Sequence, residues 1–146
     1  MSMAEQTEGD IEVEASPAEV MEVITDYEAY PEWASGVRKT QVVKKDSEGR
    51  ASEVAFEVSQ MGVSAAYTLA YRYSDEGVSW TTEAASGAVK DISGQYVLEP
   101  SGQGTKVTYR TTVEPAIPMM GFMKRQAEKT IIGTALGGLK KRVESR

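Results

Sequence analysis

At 146 residues, with 40% hydrophobic and 26% charged side chains, the chain has the make-up of one ordinary globular domain. Such a chain buries roughly two-thirds of its unfolded surface, which excludes disorder and a repeat array. The formal charge is −6 and ten acidic residues precede the first basic one, Arg38, so a general nucleic-acid binder is disfavoured because phosphates would be repelled. No His and no Cys are present, which removes imidazole-dependent triads, thiolate nucleophiles, the usual zinc sites and disulfides. The opening MSMAEQTEGD lacks the basic and apolar regions of a secretory signal, and the apolar stretch Ala116 to Met123 is broken by Pro118 and Gly121. The expectation is a soluble cytoplasmic protein without stable membrane insertion, metal or cofactor.

No linker or internal repeat divides the chain, so residues 1–146 are expected to form one domain. Thr7, Gly9, Ile11 and Val13 alternate with Glu8, Asp10, Glu12 and Glu14, the period of a half-buried strand. Ser16-Pro17-Ala18-Glu19 combines a capping hydroxyl, a Pro at the first helical position and a Glu able to reach back to the cap, so a helix starts there and ends near Asp26. A second short helical turn fits before Pro31 and Trp33.

From Val37 to Glu114 the pattern is that of consecutive antiparallel strands, with turns at Asp46–Gly49, Met61-Gly62, Glu76-Gly77 and Ser101–Gly104. A two-residue turn at Met61-Gly62 pairs Gln60 with Val63, Val58 with Ala65, Phe56 with Tyr67 and Val54 with Leu69, which gathers the large apolar side chains on one face. The same reasoning at Glu76-Gly77 predicts Tyr73 opposite Trp80 and Tyr71 opposite Thr82. Tyr96, Leu98, Val107, Tyr109, Thr111 and Val113 extend that face, while Glu57, Arg72, Glu83 and Arg110 fall on the other.

The sheet must bury its apolar face against something, and the remaining element is a long helix expected over Met119 to Arg146. Met120, Met123, Ala127, Ile131, Ala135, Leu136, Leu139 and Val143 recur at spacings of three and four, with most charged residues away from them. Gly133, Gly137 and Gly138 each cost about 0.8–1 kcal/mol relative to Ala in such a helix. Close packing on the sheet is the plainer reason for them, and room for a ligand is the other. The acidic first third of the chain and the basic residues after Met119 should attract each other.

This order of elements resembles the START-like or polyketide cyclase/dehydrase superfamily, the helix-grip fold. The residues that carry the resemblance are Ala15–Val20, Asp26–Trp33, Leu98-Glu99-Pro100 before a Gly-rich turn, Lys106–Tyr109 and Leu139–Glu144. Pro118–Arg125 followed by the glycine-bearing helix is similar to small actinobacterial cyclase/dehydrase-type proteins. The resemblance implies an α+β fold: a curved seven-stranded antiparallel sheet wrapped around a long C-terminal helix, with two short helices after the first strand. It also implies a cavity for an apolar small molecule such as a lipid, a polyketide or an isoprenoid quinone.

The residues expected to line that cavity are Phe56, Val58, Tyr67, Leu69, Tyr71, Trp80, Tyr96, Tyr109, Thr111 and Val113 on the sheet. Met119, Met120, Met123, Ala127 and Ile131 are expected opposite them, with Trp33 at the opening. A filled core is the plainer use of the same residues. Several converging phenols, however, are costly in a dry core because each hydroxyl needs a partner. Tyr71, Tyr109, Thr82 and Thr111 are candidates to orient a carbonyl or hydroxyl, and the methionines before the helix to form a deformable gate. With no His, no inward Arg and no inward carboxylate pair, binding or transport of a hydrophobic molecule is expected ahead of catalysis. The alternatives are an aromatase/cyclase acting by confinement and tyrosine hydrogen bonds, and a partner-binding or chaperone-like module.

Overall fold

The computed structural model describes residues 6–60, 62–117 and 120–146. Strand β1 (Thr7–Val13) leads into helix α1 (Pro17–Thr25) and a 3₁₀ helix (Tyr27–Glu32). Six strands follow: β2 (Val37–Lys45), β3 (Ala51–Gln60), β4 (Val63–Ser74), β5 (Gly77–Gly87), β6 (Val89–Ser101) and β7 (Gly104–Pro115). Helix α2 (Gly121–Glu144) closes the fold. The strands form one antiparallel sheet in the order β1-β7-β6-β5-β4-β3-β2, so β1 joins the far edge by pairing with the last strand.

Local chemistry starts α1 where the sequence reading places it. The Ser16 hydroxyl accepts the Glu19 amide, and the Glu19 carboxylate accepts the Ser16 amide, a reciprocal cap that satisfies two otherwise unpaired donors. Gly62, at φ 79°, supplies the left-handed conformation at the β3–β4 turn, and the expected register follows, from Gln60 opposite Val63 to Val54 opposite Leu69. The next hairpin corrects the reading. Its turn is Asp75-Glu76, so Ser74 pairs with Gly77, Tyr73 with Val78 and Tyr71 with Trp80. The slip from the expected register is two residues, which preserves the face of every side chain. Further along, a bulge between Thr68 and Leu69 bends the pair of strands.

Strands β5 and β6 pair only from Gly77–Trp80 to Gly94–Val97 and then part. Thr82 bridges the gap: its hydroxyl donates to the Ile92 carbonyl (2.6 Å) and accepts the Ile92 amide (2.8 Å), replacing ladder bonds with side-chain ones. The Thr111 hydroxyl donates to the Ser93 carbonyl at 3.0 Å. Both threonine hydroxyls considered above for orienting a ligand are therefore engaged in holding strands together.

Helix α2 does not lie across the middle of the sheet. It packs on β1, β7 and α1. Gly9 of β1 permits this approach, because a Cβ there would stand 2.7 Å from the Ile132 side chain. Glu128 is fully buried, and its carboxylate accepts the Thr7 hydroxyl (2.6 Å) and the Val113 amide (2.7 Å) and lies 3.3 Å from the Lys124 ammonium. Helical periodicity places most charged residues of this helix away from its apolar stripe, yet Glu128 is buried and joins the helix to two strands. The ends of the chain are also linked by exposed ion pairs, Arg142 with Glu32 (3.0 Å) and Arg146 with Glu22 (3.3 Å), of a kind that contributes little individually.

The helix glycines have separate explanations. A Cβ at Gly138 would meet the Trp33 carbonyl at 3.2 Å and its ring at 3.4 Å, so this glycine serves close packing. Gly133 and Gly137 face open space, and nothing in the structure explains them. Gly137→Ala should therefore stabilise the protein by about 0.5–1 kcal/mol, and Gly138→Ala by less, as read from urea unfolding midpoints. Glu128→Ala, which strands the Val113 amide, should cost roughly 2–3 kcal/mol in the same measurement.

Candidate ligand-binding cavity

Because α2 covers only the β1–β7 side, the rest of the curved apolar face encloses a cavity of about 300 Å³. The sheet contributes Phe56, Val58, Tyr67, Leu69 and Tyr71 from β3 and β4, and Trp80, Ile92, Tyr96, Tyr109 and Val113 from β5 to β7. Helix α2 contributes Ile131, Thr134 and Ala135, and Ile24, Tyr30 and Trp33 close one end. Ala34–Val37, Val63, Ala88 and Val89 form the rim, and Val63, 57% exposed, shows that the space reaches the surface.

Most of the residues expected at the site are thus brought together: Trp33, Phe56, Val58, Tyr67, Leu69, Tyr71, Trp80, Tyr96, Tyr109, Val113 and Ile131 all line the cavity. Thr111 does not, being turned into the strand contact described above. Met119 lies outside the described residues. Met120 and Met123 are 65% and 45% exposed, Ala127 is exposed, and none of the three lines the cavity. The reason is geometric. Glu128 sits over the first residue of β1, so the helical turns before it run past the strands and their stripe has nothing to pack against. The contacting face is instead Glu128, Ile132, Leu136, Leu139 and Val143.

Tyr30, Ile92, Thr134 and Ala135 line the cavity without having been singled out for it. Ile92 was legible, since Ile92, Gly94, Tyr96 and Leu98 alternate, but the glycine obscures the pattern. That glycine is required: a Cβ at Gly94 would approach the Trp80 indole to 2.8 Å, so the ring lies over bare backbone.

Nine rings form one connected array. Trp33 contacts Tyr30 (centroids 5.0 Å apart), which reaches Phe56 and through it Tyr67; Tyr27 links Tyr30 to Tyr71, with centroids 4.5 Å apart in the second pair; Trp80 connects Tyr71 to Tyr96 and Tyr109. These tilted and edge-on contacts suit the aromatic quadrupole and fix the wall rigidly.

The hydroxyls divide into two sets. Tyr30 donates to the Ile24 carbonyl, Tyr27 and Tyr73 share a hydrogen bond of 3.0 Å, and Tyr73 donates to the Ala51 carbonyl at 2.6 Å. Burial raises the Tyr109 phenol above the ordinary tyrosine value, and the neighbouring Thr111 hydroxyl partly offsets this. Among the described residues, Tyr67, Tyr71 and Tyr96 have no hydrogen-bond partner for their hydroxyls, and no side-chain oxygen or nitrogen is sealed away without one. Their hydroxyls therefore front on the cavity. Burial pushes the Tyr67 phenol up to about 12 and holds those of Tyr71 and Tyr96 well above the ordinary tyrosine value. Among the described residues no charged side chain lines the space, because strand alternation sends Arg110 outward, where it pairs with Glu8 at 2.9 Å. Among the described residues there is no cluster of metal-ligating groups, and no helix is long and apolar enough to cross a membrane.

An apolar cavity between a curved seven-stranded sheet and a C-terminal helix defines a helix-grip protein of the START-like class. The sequence model of the polyketide cyclase / dehydrase and lipid transport family matches residues 4–144, and the chain belongs to that family. Solved structures share the fold. A START superfamily protein from Mycobacterium smegmatis is 22% identical, with 96% of this chain and 97% of that one covered and a TM-score of 0.90. The Zhui aromatase/cyclase from Streptomyces sp. R1128 is 14% identical, with coverage of 97% and 94% and a TM-score of 0.74. A STAR-related lipid transfer protein from Xanthomonas axonopodis is 18% identical, with coverage of 94% and 84% and a TM-score of 0.70. No curated protein matches the sequence significantly.

The buried phenols make alkaline pH destabilising. Their unfolded-state value is near 10 and their folded value is higher, so above pH 10 the unfolded chain binds fewer protons than the folded one. Stability is fully present below that pH and falls as pH rises through the folded values. Absorbance of tyrosinate should accordingly rise together with loss of the near-ultraviolet circular dichroism of the ring array, and not in an earlier separate step.

Proposed function

We propose that the protein binds a hydrophobic small molecule in the cavity and carries it without transforming it. The single observation behind this reading is a surface-connected apolar space of about 300 Å³ whose wall, among the described residues, holds no charged group. That volume is at the low end of the roughly 300–1,000 Å³ typical of small-molecule sites, and a wall of rings with a few hydroxyls is their usual composition. The family description, which includes lipid transport, points the same way.

Catalysis asks for more than the wall offers. Proton transfer near neutral pH needs a group whose pKa lies near the working pH, and the phenols that face the cavity are displaced upward, away from it. A second reading, ring closure of a folded poly-β-ketone, is favoured by the three open hydroxyls together with the family's name. Confinement and hydrogen bonds to a developing enolate would be its only devices. Adding the protein to a polyketide synthase should change the product spectrum under that reading, with the change lost in Tyr71→Phe; an unchanged spectrum removes it.

Native mass spectrometry of the purified protein offered a panel of lipids and quinones should reveal one-to-one complexes. Ala135→Phe, which places a ring in the cavity, should weaken their formation by at least about tenfold while the fold persists. Complexes unaffected by this filling would place the ligand elsewhere and end the proposal.

A further inference from the structure

The wall chemistry constrains the ligand further. The Tyr71 and Tyr96 rings flank Trp80, with centroids 5.9 and 5.5 Å away, and among the described residues the two hydroxyls have no partner. A phenol in a water-poor site needs a hydrogen bond, and an acceptor on the ligand supplies it. Other cavity-lining side chains that carry a hydrogen-bond donor include Tyr67, Tyr109, Thr134 and Trp80.

Resting on the reading above that this cavity is a ligand site, we propose that it selects an uncharged, oxygen-bearing apolar molecule. The ligand's carbonyl or ether oxygen accepts from Tyr71 and Tyr96, and the corresponding carboxylate is rejected. Rejection follows from the absence of any cationic side chain in the wall among the described residues: a carboxylate entering would lose its hydration without gaining an opposite charge. The phenols themselves report how the site treats negative charge, since burial disfavours the phenolates of Tyr71 and Tyr96. Strand alternation makes the exclusion robust, because the arginines of β4 and β7, Arg72 and Arg110, occupy positions that face away from the cavity.

The test is calorimetric titration of the full chain near neutral pH with three probes of one skeleton: a naphthyl methyl ketone, the matching naphthoate and the matching ethylnaphthalene. The ketone should bind most tightly, with the naphthoate weaker by at least about tenfold and the hydrocarbon weaker by about three- to tenfold. In Tyr71→Phe/Tyr96→Phe the difference in affinity between the ketone and the hydrocarbon should disappear. Naphthoate binding as tightly as the ketone would overturn the selectivity and leave the cavity a ligand site. Equal binding of ketone and hydrocarbon would overturn the role of the hydroxyls, and failure of all three probes to bind would remove both this proposal and the reading on which it rests. The probe series on the unaltered protein decides the matter even if the double variant does not fold.

Discussion

The anchoring of α2 over one side of the sheet is the constraint from which the remaining features follow. A helix with an apolar stripe would ordinarily settle where it covers the most apolar surface, near the middle of the sheet. Here Gly9 lets Ile132 approach β1 closely, and the Glu128 carboxylate bonds to Thr7 and to the backbone of Val113. Burying that carboxylate is costly unless its partners are present, and they occur only over the β1–β7 edge. The helix is thereby held in place, and the concave remainder of the face is left without a filling element. The cavity is the volume between a helix fixed at one edge and a sheet that curves away from it.

The strong separation of charge across the sheet follows from backbone geometry. Alternate residues point to opposite faces, so a strand whose inward positions are Tyr, Trp, Leu and Val places its Arg, Lys and Glu in water. The side-chain polar groups that the described residues bring to the cavity wall are hydroxyls and an indole. Structure then divides the hydroxyls: Thr82 and Thr111 bridge strands, Tyr27, Tyr30 and Tyr73 tie the 3₁₀ helix to its surroundings, and Tyr67, Tyr71 and Tyr96 stay open to the space. The same residue type thus serves cohesion at one end of the site and recognition in its interior.

Local signals in the sequence proved sufficient wherever the governing interaction is local. The reciprocal Ser16–Glu19 cap and the Gly62 turn act over a few residues, and the β3–β4 register follows from the turn between them. The β4–β5 register was misjudged by two residues because Asp75-Glu76 makes a turn without glycine, while Gly77 serves a close approach to the Tyr96 carbonyl on β6. The face of each residue survived that error, which is why Tyr71 and Trp80 still reach the cavity. The helix stripe failed differently. Periodicity gives the angle of a residue around α2 but says nothing of where along the axis the sheet ends, and so Met120, Met123 and Ala127 project past it.

What the amino-acid sequence determined by itself was the element order, the identity of the apolar face, the absence of histidine and cysteine chemistry, and the fold family, because strand alternation, helix caps and composition are properties of the chain read a few residues at a time. Only the tertiary structure decided that the face encloses empty space, that Glu128 belongs to the interior, and which hydroxyls remain unengaged. Those outcomes depend on contacts between residues far apart in the chain, Thr7 with Glu128 and Gly9 with Ile132 among them, and no local pattern encodes the distance at which a helix comes to rest above a sheet.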